Sequence, residues 1–224
     1  MNGFWITAIG LLAQGFFSAR ILVQWIMSER ARKVLSPSVF WILSIAGSYL
    51  LCIYGWLRQD FAIVLGQFIS YYVYIWNLRI KGIWTNVPPV FRYVLIFTPL
   101  VAIGLVMGDV QNFINTFIFN EKVPMWLLIF GSAGQIIFTL RFLYQWYYSK
   151  KAGESELPPG FWWLSLLGST IIVSYAVFRV DPVLILGQSF GLVAYSRNLW
   201  IGYKQRKNNK HKAFKLDLES SLNK

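Results

Sequence analysis

The chain has 224 residues, of which 56% are hydrophobic and 13% are charged. Soluble proteins carry about 25% charged residues, so this composition excludes an ordinary soluble domain and favours a protein whose solvent is lipid. The net charge of +12 does not indicate a nucleic-acid partner, because the cations gather in loops and in the tail, as in membrane proteins.

Apolar runs of membrane-spanning length follow one another along the chain. A helix that crosses a ~30 Å hydrocarbon core needs about 20 apolar residues, and backbone groups in lipid need internal hydrogen-bond partners. Seven helical spans are predicted, at 4–27, 39–57, 61–80, 91–108, 124–147, 161–178 and 182–202. The polar tail is predicted to be disordered apart from a short terminal helix.

Lysine and arginine residues determine the predicted orientation. With seven spans, the loops after spans 1, 3 and 5 and the tail fall on one side, and they hold most of the loop cations. The opposite side has only Arg58, Lys122 and Arg179. Because cations stay in the cytoplasm, the N-terminus is predicted to lie outside and the C-terminus inside.

The sequence contains an internal repeat. A shift of 121 residues aligns positions 5–82 with the second half of the chain without a gap. Identical pairs include Trp5 with Trp126, Pro37 with Pro158, and Tyr54 with Tyr175. Each unit has three spans, so two units in direct succession would be inverted. The charge pattern gives both units one orientation, and this requires a single span between them.

The predicted fold is therefore an all-α integral membrane protein with two parallel three-helix repeats joined by a linking helix, a 3+1+3 arrangement. The first repeat occupies 1–82, a linker with the fourth span occupies 83–122, and the second repeat occupies 123–203. A basic cytoplasmic tail follows at 204–224. Transporters built from parallel repeats bind their substrates between the two halves.

Two arginines lie inside predicted spans. Arg20 lies about 12 Å inside the cytoplasmic end of span 1, at 1.5 Å per residue, and Arg141 is its counterpart in span 5. A guanidinium suits phosphate or carboxylate oxygens, and Gln24 and Gln145 follow one turn later on the same helix faces. We predict that both pairs meet in a central cavity, because a charge at membrane depth is costly. The alternative is that the arginines extend to the headgroups.

Further polar residues recur at matching positions of spans 3 and 7. They complete the predicted substrate-binding set, as Gln67, Tyr74 and Asn77 in span 3 and Gln188, Tyr195 and Asn198 in span 7. Buried amides in lipid usually bond across helices, so a structural role is the alternative to ligand binding.

Charged residues occupy the tight turns that precede spans 3 and 7. Arg58 with Asp60, and Arg179 with Asp181, predict a helix cap or a local ion pair in each turn. This structural role is preferred to a functional one.

Catalysis, metal binding and cofactor binding are not indicated. The chain has one cysteine and one histidine, Cys52 and His211, and it lacks a phosphate-binding glycine loop and a nucleophile elbow. Acidic residues avoid the middle of the spans, so proton coupling through a buried carboxylate is not indicated either. We expect no cofactor and no metal, and no oligomeric state is indicated.

Three runs in the first repeat carry a family resemblance: R-x-x-x-Q-W from Arg20, S-P-S-V-F-W from Ser36, and R-Q-D-F-A-I-V-L-G-Q from Arg58. They resemble the lipid A biosynthesis N-terminal domain and, more distantly, the PQ-loop superfamily that includes sugar-efflux carriers. At the Pro-Gln pair of that superfamily the chain has Ala19-Arg20 and Leu140-Arg141. This departure favours an anionic ligand over a neutral sugar.

The resemblance implies a role in envelope glycolipid biosynthesis in the bacterial inner membrane. One function that it implies is a carrier or flippase that binds an anionic lipid or lipid-linked sugar phosphate in a central cavity. A second is a non-catalytic anchor or accessory subunit for a lipid A glycosyltransferase, since the domain also occurs attached to lipid-A-disaccharide synthase. The sequence shows no nucleotide-sugar domain, so we do not expect synthase activity from this chain alone. A third, by fold analogy, is a PQ-loop-type carrier of a small soluble solute.

Overall fold

The computed structural model describes residues 3–118 and 123–222, with the side chains of all of these except residues 3, 105–106 and 209–222. The described residues form helices joined by loops and turns, without a β-strand. The helices are α1 (Gly3–Ala31), α2 (Ser38–Leu57), α3 (Phe61–Ile80), α4 (Pro89–Gly108), α5 (Val110–Phe113), α6 (Met125–Ala152), α7 (Pro159–Phe178) and α8 (Pro182–Leu222). A 3₁₀ turn, Ile83–Asn86, and a π-helical turn, Ile114–Ile118, flank the α4–α5 segment.

Five helices in the described part of the chain are long and apolar enough to cross a membrane. They are Phe4–Ala31, Ser38–Leu57, Phe61–Ile80, Met125–Ala152 and Pro159–Phe178. These five coincide with predicted spans 1, 2, 3, 5 and 6. In α4, Pro89–Gly104 forms a shorter apolar helix, and α8 is not among the five. The protein is therefore a helical protein with several membrane-type helices, and the count of seven spans stays a prediction.

Six of the long helices pack side by side in a closed ring. Helix α1 packs on α2, α2 on α3, α3 on α6, α6 on α7, α7 on α8, and α8 on α1. The contacts between α1 and α8 and between α3 and α6 join the two repeats. This ring encloses the centre of the molecule, where the site described below lies.

Matching loops of the two repeats lie at the same end of the ring. The loop between α1 and α2 (32–37) and the loop between α6 and α7 (153–158) meet through a hydrogen bond of 2.8 Å between the hydroxyls of Ser36 and Ser155. We call this end the loop end. The opposite end, formed by the tight turns 58–60 and 179–181, is called the turn end.

Both tight turns are built in the same way. Gln59 has a φ of 53° and the matching Val180 a φ of 48°, which is the left-handed conformation that ends many helices. The Asp60 N–H then donates to the Gly55 carbonyl oxygen at 2.9 Å. Because only three residues separate the helices, the aspartate at the third position stands directly at the start of the next helix.

The tail departs from its prediction. Helix α8 continues through the basic segment to Leu222. The prediction of disorder after residue 203 is therefore wrong. No glycine or proline interrupts residues 203–222. Most of the residues there are lysine, leucine, alanine, glutamine, arginine or others that a helix tolerates well, which explains why the helix extends beyond the apolar run.

Candidate functional site

Arg20 on α1 and Arg141 on α6 line one central cavity of about 30 Å³. Their side chains are 3% and 1% exposed, so neither extends to the membrane surface. Their guanidinium carbons lie 5.8 and 4.4 Å from the centroid of the same ring, Phe142. The structure therefore brings together two positive charges from matching positions of the two repeats.

A repeated set of aromatic rings surrounds the two guanidinium groups. In each repeat three rings lie 3.2 to 5.8 Å from the guanidinium carbon, at positions related by the 121-residue shift. The pairs are Phe17 with Phe138, Phe40 with Phe161, and Tyr74 with Tyr195. We call these six rings and Phe142 the aromatic cage. Cation–π attraction offsets part of the cost of burying the charges.

The hydrogen-bonding capacity of the two arginines is only partly used. Arg20 Nη1 donates to Ser44 Oγ at 2.7 Å. Arg20 Nε, Arg141 Nε and Arg141 Nη1 have no hydrogen-bond partner. Within the described residues, neither arginine forms an ion pair with a carboxylate. The cavity therefore presents uncompensated positive charge and free donors.

Gln24 and Gln145, predicted to accompany the arginines, use their amides between the repeats. Gln24 Nε2 donates to Asn198 Oδ1 at 2.9 Å, and Asn198 Nδ2 donates back to Gln24 Oε1 at 3.1 Å. Gln145 and Asn77 form the same reciprocal pair, at 2.9 and 3.1 Å. We call these the amide pairs. They join α1 to α8 and α3 to α6 near the loop end, which is the structural role that buried amides commonly have.

The two predicted glutamines of α3 and α8, Gln67 and Gln188, line the central cavity. They differ in their bonding. Ser169 donates to Gln188 Oε1 at 2.7 Å, whereas Gln67 Oε1 has no partner. The first repeat therefore keeps a free acceptor where the second repeat is satisfied.

Gln14 and Gln135 also line the cavity and were not among the predicted site residues. A Cβ atom at Gly187 would overlap the Gln14 carboxamide, and one at Gly66 would overlap that of Gln135. Glycine at these two positions therefore allows each glutamine to cross to the other repeat. The sequence does carry a signal for both glutamines, because the 121-residue shift aligns Gln14 with Gln135.

At the turn end, two clusters of tyrosine, aspartate and arginine cross between the repeats. Tyr54 donates to Asp181 Oδ2 at 2.8 Å, and Arg58 Nη2 lies 3.4 Å from the same oxygen. In the matching cluster, Tyr175 donates to Asp60 Oδ2 at 2.6 Å, and Arg179 Nε lies 3.6 Å from the same oxygen. We call these the turn-end clusters.

The turn-end clusters decide between the two roles predicted for the turn residues, a helix cap or a local ion pair. Asp60 caps α3, because its side chain accepts a hydrogen bond from the Ile63 N–H at 3.2 Å. The alternative for this turn, a local ion pair between Asp60 and Arg58, is replaced by an ion pair between the repeats. Because one oxygen of each aspartate caps its own helix, the other faces the opposite repeat, and Arg58 meets Asp181 there. Burial raises the pKa of the Asp60 carboxyl, while the Tyr175 hydroxyl and Arg179 act in the opposite direction.

An open vestibule of about 970 Å³ lies at the loop end. Its charged lining residues are Lys33, Lys81, Glu154, Glu156 and Arg206. Partial burial lowers the pKa of Lys81. Asn198 belongs to both the vestibule wall and an amide pair, so the amide pairs stand between the vestibule and the central cavity.

Comparison with known proteins gives a family match in each repeat. A family model described as Lipid A Biosynthesis N-terminal domain matches residues 9–79 and, a second time, residues 130–200. The two matches have the same register as the internal repeat.

Curated relatives match over most of the chain. Lipid-A-disaccharide synthase of Chlamydia pneumoniae is 30% identical over 207 residues, which are 89% of this chain and 34% of that protein. The synthase of Chlamydia felis is 30% identical over 206 residues, covering 88% and 33% of the two chains. The chain thus spans about a third of the length of the curated relatives it matches. No solved structure matches it significantly.

The crossed pairing at the turn end predicts which residues are energetically coupled. In a double-mutant cycle on the free energy of unfolding, Tyr54→Phe and Asp181→Asn should couple by about 1.5–3 kcal/mol, the range for hydrogen bonds to charged groups. The control cycle of Tyr54→Phe with Asp60→Asn should couple by less than about 0.5 kcal/mol. Equal coupling in the two cycles, measured by denaturation in detergent, would contradict the crossed arrangement.

Proposed function

The chain belongs to the lipid A biosynthesis N-terminal domain family, and on this basis we propose that it binds and translocates an anionic lipid or lipid-linked sugar phosphate during envelope glycolipid biosynthesis. Arg20 and Arg141 would hold the phosphate in the central cavity. The observation that carries this proposal is the burial of two arginines from opposite repeats in one cavity, without a carboxylate partner among the described residues.

The electrostatics of the cavity favour an anion. Removing an unpaired charge from water costs several kcal/mol, and here two like charges share a small space. Aromatic rings recover part of this cost, but they leave the Nε groups of Arg20 and Arg141 and the Nη1 group of Arg141 without acceptors. A phosphate would supply both countercharge and acceptor oxygens, and the planar guanidinium matches it in geometry.

In the proposed cycle, this structure would be a closed state. A volume of about 30 Å³ accommodates roughly two water molecules and is too small for a phosphorylated headgroup. The amide pairs close the loop end, and the turn-end clusters close the opposite end. Both sets of bonds cross between the repeats, so breaking one set while the other persists would open the cavity toward one side only. This is the alternating-access scheme that parallel repeats support.

The proposed membrane arrangement retains seven spans, with α4 and the first part of α8 as the two additional ones. The loop end, with its vestibule, would face the cytoplasm of the bacterial inner membrane, and the turn end would face outward. The cationic residues of the loop end support this orientation. The vestibule would then be the cytoplasmic entrance for a headgroup.

A second candidate function is that of a membrane anchor or accessory subunit for a lipid A glycosyltransferase. The alignment with about a third of proteins named lipid-A-disaccharide synthase supports it. The two candidates are compatible, because a domain that holds the lipid could present it to the transferase. A PQ-loop-type carrier of a small soluble solute is less well supported, because it rests on fold analogy alone and a neutral solute such as a sugar would leave the buried charges uncompensated.

Replacing both arginines provides the direct test of the binding proposal. The double variant Arg20→Gln, Arg141→Gln should bind dioleoyl phosphatidic acid at least ten-fold more weakly and lose flipping of a fluorescent phosphatidic acid in proteoliposomes. Lysine at both positions should recover part of the binding, because it restores the positive charge but not the planar, two-pronged donor geometry of the guanidinium group. The matched control, Arg30→Gln with Arg79→Gln at exposed positions that line neither the central cavity nor the vestibule, should behave as wild type. Unchanged binding in the buried double variant would reject the proposal.

Opening of the loop end can be tested with one introduced cysteine. Thr139 lines the cavity and is 2% exposed, so cysteine there, in a Cys52→Ala background, should react slowly with a membrane-impermeant maleimide. Adding Asn77→Ala and Gln145→Ala removes one amide pair and should raise the rate at least ten-fold from the loop-end side. The control Thr170→Ala, at an exposed position on α7, should leave the rate unchanged. An equal rate in all three backgrounds would argue against this opening.

A further inference from the structure

A second cavity, a groove of about 250 Å³, lies between α2, α3 and α4, and its walls are almost entirely apolar. It exceeds the ~150 Å³ apolar cavity that suffices for a benzene ring. Ile53 and Trp56 at its edge are 39% and 42% exposed, so the groove opens on the outside of the helix ring. Helices α2 and α3 are long and apolar enough to cross a membrane, which means that acyl chains would surround this opening.

The wall of the groove carries unused polar atoms. Ser48, Gln67 and Tyr71 line the groove, and their atoms Ser48 Oγ, Gln67 Oε1 and Tyr71 Oη are buried without hydrogen-bond partners. Ser48 is 1% exposed and Tyr71 is 4% exposed. Buried polar atoms without partners are uncommon because each costs about 1–3 kcal/mol. The hydroxyl groups of Ser48 and Tyr71 are possible donors, and they suit the ester oxygens at the top of an acyl chain, which accept hydrogen bonds.

The second repeat does not reproduce this arrangement. At the matching positions, Ser169 donates to Gln188 at 2.7 Å, so these two groups satisfy each other. Helix α4, which forms the third wall through Thr98, Pro99 and Ala102, lies in the linker and has no repeated counterpart. The groove therefore arises from the part of the fold that departs from the internal symmetry.

Gln67 connects the groove to the arginines, because it lines both the groove and the central cavity. We infer that the groove binds one acyl chain of the anionic lipid while its phosphate lies at Arg20 and Arg141. This inference rests on the proposed function and adds a lateral path: the lipid enters between α2, α3 and α4. Gln67 then lies at the junction between headgroup and chain.

The test separates the contribution of the acyl chain to binding from that of the headgroup, by using two lipid probes with the same phosphate. Dioleoyl phosphatidic acid has long chains, and dibutanoyl phosphatidic acid has chains too short to fill the groove. Ala102→Trp fills the groove from α4, and Cys52→Phe fills it from α2. Each should weaken binding of the dioleoyl probe to the purified full chain at least ten-fold and change binding of the dibutanoyl probe less than two-fold.

Matched controls keep the bulk of the substitution and change only its place. Val101→Trp lies beside Ala102 but is 59% exposed, and Val173→Phe occupies the position on α7 that matches Cys52. Both controls should bind the two probes as wild type does. Wild-type binding of the dioleoyl probe by folded Ala102→Trp and Cys52→Phe variants would overturn the inference.

The same measurement distinguishes failure of the groove from failure of the proposed function. Arg20→Gln with Arg141→Gln should weaken both probes by the same factor, because both carry the phosphate. If only the arginine variant weakens binding, the headgroup site stands and the groove is rejected. If only the groove variants weaken binding of the long chain, the groove stands and the arginine site is rejected.

Discussion

Arg20 and Arg141 bury two guanidinium groups in one cavity, with no countercharge among the described residues. Lipid offers no alternative solvation for these groups, so the chain surrounds them with aromatic rings and leaves three of their donors unused. A fold that only needed stability would place apolar side chains there, because buried charge rarely stabilises a protein. In the proposed function, this energetic deficit would be the basis of affinity for an anion.

Polar contact between the repeats is concentrated in two layers on either side of this cavity. The amide pairs join α1 to α8 and α3 to α6 near the loop end, and the turn-end clusters join the repeats at the other end. Each layer consists of two copies of one interaction, because the repeats exchange matching residues. Such layers can break as units, which is what a two-state opening requires. Helix α4 has no counterpart in the second repeat and takes no part in these layers. It forms one wall of the apolar groove, which therefore lies beside the first repeat.

Much of this architecture follows from local pattern. Apolar runs of about 20 residues predict helices in lipid, and five of the seven predicted spans coincide with helices of membrane-spanning length and composition. The repeat predicted that Arg20 and Arg141 would occupy equivalent places. The partners of Gln24 and Arg58 could not be predicted, because they depend on which helices become neighbours across the repeats. The same holds for the groove, which requires the position of α4. The tail is helical despite its polarity because its residues have sufficient helix propensity.

The most direct measurement of the central claim is the distance between arginine nitrogen and lipid phosphorus. With ¹⁵N-labelled arginine and phosphatidic acid in reconstituted membranes, ¹⁵N–³¹P recoupling in solid-state NMR should show stronger dephasing in the wild type than in the variant Arg20→Lys, Arg141→Lys. That difference isolates the buried pair from arginines at the headgroups. Identical dephasing in the two proteins would mean that phosphate does not reach the cavity, and would contradict the account.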